Sequence, residues 1–359
     1  MLKKCLFIHK DSMSNTGGSV ISKRNMELCR DTFGKENVLE FSITKGGGIH
    51  SLVRLIKGNM EGLNPKIRKK IIEKIISDKI NYIFIDTSIY GLLAKHIKKQ
   101  CPAVKIIVFF HNVECMYFKE LIKATGKKRH YITLNAVEKN EKVAIEFADY
   151  IITLNERDSQ LLRNYFGRGA DFALPTSFHD KFDENKLIAN DNDLSKIKLL
   201  FVGSLFFANE EGVRWFVKEV MPALDKKYVL YIVGKNFEQL EDQLKGDNVK
   251  VIGSVDKLDD WYYAADAVIS PIFSGGGMKT KIAEALMYGK PIFGTHEAFA
   301  GYDLNFEKIG GLCNNKEEFI SSITKYNYPN IKFNKYSRCV FMENYNTDRM
   351  INEFLKKIN

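Results

Sequence analysis

The feature that most limits how this chain can fold is its rhythm. Short apolar runs alternate with amphipathic stretches along nearly all of its 359 residues. In the first half, Cys5–Ile8, Val38–Ile43, Tyr82–Asp86, Lys105–Phe110 and Tyr150–Leu154 read as strands. Helical patterns lie between them at Ile67–Ile76, Leu92–Lys99, Leu134–Phe147 and Arg157–Phe166. The second half repeats the rhythm with strands at Lys198–Gly203, Val229–Gly234, Val249–Ile252, Ala267–Pro271 and Pro291–Gly294. Its helical patterns are Glu210–Met221, Asn236–Leu244, Leu258–Ala264 and Lys279–Tyr288. Strands separated by helices pair in parallel, because a parallel partner needs a long crossover connection. The expectation is an α/β chain of two doubly wound, Rossmann-like domains facing each other across a cleft. The domains would be residues 1–176 and 177–335, with the break near Leu174-Pro175-Thr176. A C-terminal segment, 336–359, carries the amphipathic helix Asp348–Ile358 and is expected to pack back on the first domain. In such sheets ligands sit beyond the carboxyl ends of the strands.

Composition narrows the classes. Hydrophobic residues make up 45% and charged residues 27%, a globular rather than a disordered balance. The six cysteines show no C-x-x-C and no Cys/His zinc spacing, which argues against a disulfide scaffold or zinc site and for a reducing compartment. No apolar run approaches the roughly 18 residues of a membrane span. The first run is too short for a signal peptide, so a cytoplasmic location is expected. The net charge of +10 is one-sided: residues 1–176 hold 30 basic and 18 acidic residues, the remainder 24 and 26. The excess gathers at Lys66/Arg68/Lys69/Lys70, Lys95/Lys98/Lys99 and Lys123/Lys127/Lys128/Arg129. Such clusters are either solvated helix faces or a footprint for an anionic surface. No nucleic-acid motif accompanies them, so the inner face of a membrane is the surface they would suit and nucleic acid is not an expected partner.

The chemistry concentrates at Ser270-Pro-Ile-Phe-Ser-Gly-Gly-Gly-Met-Lys-Thr-Lys-Ile-Ala-Glu284. A strand ends, three glycines follow, and a helix begins near Lys279. Glycines let a backbone approach a ligand, and a helix N-terminus with lysines suits a phosphate or diphosphate. Glu284, a turn further on, suits a ribose diol. A glycine run alone is weak; the whole strand–GGG–Lys–Glu–helix–Gly289-Lys-Pro291 unit is specific. It is neither a P-loop nor a G-x-G-x-x-G fingerprint. Gly17-Gly18, after the first strand, reads as a flexible glycine loop.

These segments resemble, in order, signatures of GT-B glycosyltransferases of the large retaining family numbered four. They are Gly17-Gly18, Phe110-His-Asn-Val-Glu114, Thr153-Leu-Asn-Glu-Arg-Asp158, Phe201-Val-Gly-Ser204, Asn209-Glu-Glu-Gly-Val-Arg-Trp-Phe216, Ile232-Val-Gly-Lys235, Ile252-Gly-Ser-Val255 and the GGG–Lys–Glu unit. The resemblance implies a donor site made of Gly203, Ser204, Gly234, Lys235, Gly253, Ser254, Val255, Gly275, Gly276, Gly277, Met278, Lys279, Lys281 and Glu284. Within it, Gly276, Gly277 and Met278 would offer amides to the donor diphosphate and Lys281 a charge. Glu284 would hold the ribose, and Gly253 to Val255 the base, through backbone. His111, beside the transferred sugar, joins Lys281 and Glu284 as a catalytic candidate. Gly17, Gly18, Asn112 and Glu114 fall on the acceptor side. Two departures stand out. The first Glu of the family's E-x7-E motif is replaced by Gly276. The places of an Arg and a Lys that neutralise the diphosphate hold Ser204 and either Glu210 or Glu211. The implied reaction moves a sugar, with retention and without metal or other cofactor, from a nucleotide donor (a UDP-sugar first) to a glycan or lipid-linked glycan, as in cell-surface polysaccharide synthesis. The competing readings are a sugar-nucleotide epimerase on the same frame and a non-catalytic nucleotide-sugar or glycan-binding subunit.

Overall fold

The computed structural model describes residues 3–11, 17–44, 55–188, 195–328 and 332–358. The chain divides into two compact units, Met1–Pro175 with Met350–Asn359, and Thr176–Arg349.

The first unit is built on β1 (Cys5–Lys10), β2 (Val38–Ile43), β3 (Tyr82–Ile85), β4 (Lys105–Phe110), β5 (Tyr150–Thr153) and β6 (Phe172–Ala173). They pair in the order β2-β1-β3-β4-β5-β6, every pair parallel. The central strands are buried on both faces, so Cys5–Ile8 and Ile106–Phe110 are unbroken apolar runs rather than alternating ones. Strand order reverses between β1 and β3, which makes their carboxyl ends the switch point of this sheet. The last helix, Thr347–Ile358, brings Phe354 into this core, its ring 6.3 Å from Phe84 and 6.2 Å from Phe172.

The second unit is built on β7 (Ile197–Val202), β8 (Tyr228–Val233), β9 (Val249–Gly253), β10 (Ala267–Ser270), β11 (Ile292–Gly294) and β12 (Gly310–Leu312). Their order is β12-β11-β10-β7-β8-β9, again all parallel, and the switch point lies between β7 and β10. Leu199, Phe201, Leu230, Ile232, Ile269 and Phe293 belong to its core.

Three expectations need correcting. Gly17 and Gly18 are not a loop: they open the helix Gly17–Phe33, whose apolar periodicity starts directly behind them, and residues 12–16 lie outside the described residues. The helix expected at Glu210–Met221 is an α-helix only over Phe207–Trp215. It widens over Phe216–Val220 and tightens over Met221–Ala223, where Pro222 ends it. Asn236–Leu244 is two single turns, Phe237–Leu240 and Glu241–Leu244, after Asn236 in left-handed conformation.

Candidate active site

In the second unit the switch point is crowded with the residues that the sequence singles out. Helix Thr280–Met287 carries Lys281 back to the end of β7. Its ammonium is buried, stands 4.0 Å over the Phe201 ring and donates to Asn209 Oδ1 at 2.8 Å. A methyl group on Gly203 would lie 2.9 Å from Lys281 Nζ and 2.6 Å from Asn209 Nδ2, so the lysine rests on bare backbone just beyond β7. Burial, reinforced by the nearby charge of Lys279 and only partly offset by Glu284, holds the Lys281 pKa well below the ordinary lysine value. The turn from β10 passes beside it. Gly275 and Gly277 have φ of +117° and +63°, conformations that a side chain resists, which accounts for glycine there. Met278 is buried beneath the turn.

Lys279 is engaged with the turn itself. It donates to the carbonyls of Gly276 and Gly277 at 3.2 and 3.1 Å and pairs with Glu297 at 2.9 Å. It therefore ties the turn down, with its charge already matched. Ser274 Oγ holds the other flank by donating to Glu211 at 3.0 Å, while Glu210 pairs with Arg214 at 2.8 Å. Glu284 is half-buried and accepts from the Tyr262 hydroxyl at 3.4 Å. Burial pushes its carboxyl up to about 7, against the pull of Tyr262 and of the Lys181 and Lys281 charges. The sheet order also aligns three strand ends. Gly203 donates to Val233 at 3.0 Å and Gly234 to Gly253 at 2.7 Å, a side-chain-free edge across β7, β8 and β9. Lys235 and Ser254 are exposed just beyond it, Ser204 and Val255 half-buried.

In the first unit, His111 follows β4. Its Nε2 lies 3.1 Å from the Asp86 carbonyl and 3.2 Å from Asp86 Oδ1, both acceptors, so Nε2 carries a proton. Its Nδ1 is buried without a hydrogen-bond partner among the described residues. Asp86 directly follows β3 and is buried. It accepts from Ser22 and, at 2.7 Å, from Asn25, both on helix Gly17–Phe33. Burial alone would raise its pKa, but His111, Ser22 and Asn25 outweigh that and hold it below the usual carboxylate range. Asn112 donates to Glu114 at 3.5 Å. The amides of Glu114 and Cys115 donate to the buried Glu141 at 2.7 and 3.1 Å, which caps helix Glu114–Thr125. Burial and the charge of Glu114 push Glu141 up to about 7. A cavity of about 280 Å³ opens beside the end of β1, lined among others by His9, Lys10, Ser22, Met26 and Glu40.

Sequence reasoning singled out Lys281, Glu284 and His111 but gave no role to Asn209, Asp86 or Glu141. The signal for Asp86 is a carboxylate closing an apolar run. For Glu141 it is a charge on the apolar side of an otherwise amphipathic helix.

Residues 196–325, the span of the second sheet, match the family described as Glycosyl transferases group 1. No curated protein matches the chain in sequence. Among solved structures it is similar to sucrose-phosphate synthase from Thermosynechococcus elongatus, at 14% identity over 99% of this chain and 98% of that one, TM-score 0.73. It is similar to HepE from Anabaena in complex with UDP, at 11% identity over 99% of both chains, TM-score 0.72. The lipopolysaccharide outer core galactosyltransferase WaaB is a third, at 14% identity over 99% of both, TM-score 0.65. The fold is therefore GT-B, that of these glycosyltransferases. The match over the second unit and the fold together support a glycosyltransferase.

Proposed function

We propose that the protein transfers a sugar from a nucleotide-diphosphate donor to a glycan or lipid-linked glycan acceptor, with retention and without metal, in cell-surface polysaccharide synthesis. The observation that carries this reading is the convergence at the β7/β10 switch point of a buried lysine, a glycine turn and a side-chain-free strand edge. Breaking the anomeric C–O bond leaves negative charge on the diphosphate, and the site must stabilise that charge better in the transition state than in the ground state. Lys281 and the amides of Gly276, Gly277 and Met278 supply that stabilisation. Glu284 takes the ribose and the strand edge at Gly253 the base. His111, in the first unit, serves the sugar, with the donor phosphate helping to deprotonate the acceptor. HepE is described with UDP and with UDP-glucose, which favours a UDP-sugar.

In a transfer assay Lys281→Ala is expected to lose about 30- to 1000-fold in rate, the equivalent of about 2–4 kcal/mol of leaving-group stabilisation. Wild-type turnover in that variant removes Lys281 from the mechanism. A second reading, a non-catalytic nucleotide-sugar-binding subunit, is favoured by Gly276 and Ser204 standing where the family resemblance calls for Glu and Arg. Donor binding with no transfer across an acceptor panel would establish it.

A further inference from the structure

Lys281 is unusual in what it lacks. Among the described residues no carboxylate lies within ion-pair distance of its ammonium, although the group is buried. Buried lysines are ordinarily paired with an acid, because an isolated buried charge is costly. After burial, the charged groups that act on it are Lys279, which disfavours its charge, and Glu284, which favours it. Phe201 of β7 and Gly203 just after it offer a ring face and bare backbone. Among the described residues its one polar partner is Asn209, from helix Phe207–Trp215, which is itself buried.

The amide of Asn209 is oriented by its two partners. The Ser204 carbonyl can only accept, so Nδ2 must face it, at 2.7 Å. The ammonium can only donate, so Oδ1 must face Lys281. Asparagine thus joins the backbone after β7 to the lysine with a neutral link. An aspartate there would reach the same ammonium but neutralise it.

We propose that Asn209 is a positioning residue that fixes Lys281 at the end of β7 while leaving its charge unmatched, so that the donor's diphosphate supplies the missing counter-charge. This inference rests on the donor-site reading above. It carries a linkage consequence. A buried amine without a counter-ion sheds its proton readily and regains it when an anion arrives, so donor binding takes up a proton.

The experiment is a calorimetric titration with UDP at pH 8, where the nucleotide's phosphates are already ionised, in two buffers of different ionisation enthalpy. It reads affinity and protons taken up. Wild type should take up a measurable fraction of a proton. Asn209→Asp should bind UDP on the order of 10- to 100-fold more weakly and take up none, because its lysine is already charged. Asn209→Ala should bind more weakly but keep the uptake. Lys281→Met should bind UDP more weakly and take up no proton when it does bind, which assigns the proton to Lys281. Should the aspartate variant fail to fold, a double-mutant cycle decides the matter: Asn209→Ala should weaken UDP binding when Lys281 is present but add little in the Lys281→Met background, and equal weakening in both backgrounds overturns the proposal. A merely structural asparagine would weaken binding alike in both variants and leave the proton count unchanged, and that result overturns the proposal. So does UDP binding by wild type without proton uptake. If wild type binds none of UDP, GDP, ADP and dTDP, the donor-site reading itself fails, an outcome distinct from nucleotide binding with an unchanged proton count.

Discussion

Asp86 and Glu284 are both carboxylates at switch points, yet their surroundings push them in opposite directions. Asp86 is held low by His111, Ser22 and Asn25 against its burial, so its contribution to stability is present above the ordinary carboxylate value and is lost as pH falls through its lowered one. Asp86→Ala would leave the Asn25 amide and the buried Arg24 guanidinium without their acceptor or counter-charge, at a cost of about 2–4 kcal/mol in denaturant unfolding. Glu284 is raised to about 7, so the free protein is most at ease with it protonated, and stability is lost as pH rises through that value. Glu284→Gln should therefore melt higher than wild type at pH 8, with the gap closing toward pH 4, while UDP binding weakens. Equal melting at pH 8 would contradict the burial argument. Lys281 and Glu284 were legible in sequence because they share one short strand–turn–helix unit. Asn209 and Asp86 were not, because their meaning comes from partners 72 and 25 residues away that only the fold brings near.

At the scale of elements, parallel strands announce themselves where both faces are buried, as in the unbroken apolar runs of β3 (Tyr82–Ile85), β4 (Ile106–Phe110) and β10 (Ala267–Ile269). Two of the four edge strands, β6 and β12, do not. One is two residues long, and the other is Gly-Gly-Leu. Helix Phe207–Trp215, which presents Asn209, lies so close to the end of β10 that a methyl on Gly212 would come within 1.8 Å of the Pro271 carbonyl. Gly212→Ala should therefore push the helix off the sheet and cost about 1–3 kcal/mol or more by overpacking, with UDP affinity falling too. Gly167→Ala is the control. Its φ is +82° but a methyl there meets nothing within 4 Å, so only about 1 kcal/mol of backbone strain is expected and UDP binding should be untouched. Equal effects at the two sites would show that the helix contact does not govern the site.

For the molecule as a whole, most of the chain's last helix, from Met350 on, belongs to its first unit. Phe354 is buried against Phe84 and Phe172, so Phe354→Ala should cost about 3–5 kcal/mol in the stability of a domain formed mostly by residues before 176. The amphipathic pattern of 348–358 was readable from sequence; its packing partners, over 180 residues upstream, were not. Part of the basic excess is paired once side chains are placed. Lys98 and Lys105 pair with Asp149, and Lys123 with Glu120. Lys127, Lys128 and Arg129 stay exposed beside Tyr131. No helix among the described residues is long and apolar enough to cross a membrane. If these basic clusters meet an anionic surface, as one reading of the sequence expects, reversing those three charges should abolish binding to anionic vesicles at low salt, at about 1 kcal/mol per residue. Wild-type binding that persists at high salt would contradict an electrostatic contact. The most direct test of the central claim is a crystal structure with UDP. The account predicts the diphosphate within hydrogen-bond distance of Lys281 Nζ and of the amides at Gly276 and Gly277. A nucleotide bound elsewhere, with Lys281 still touching only Asn209, would contradict it.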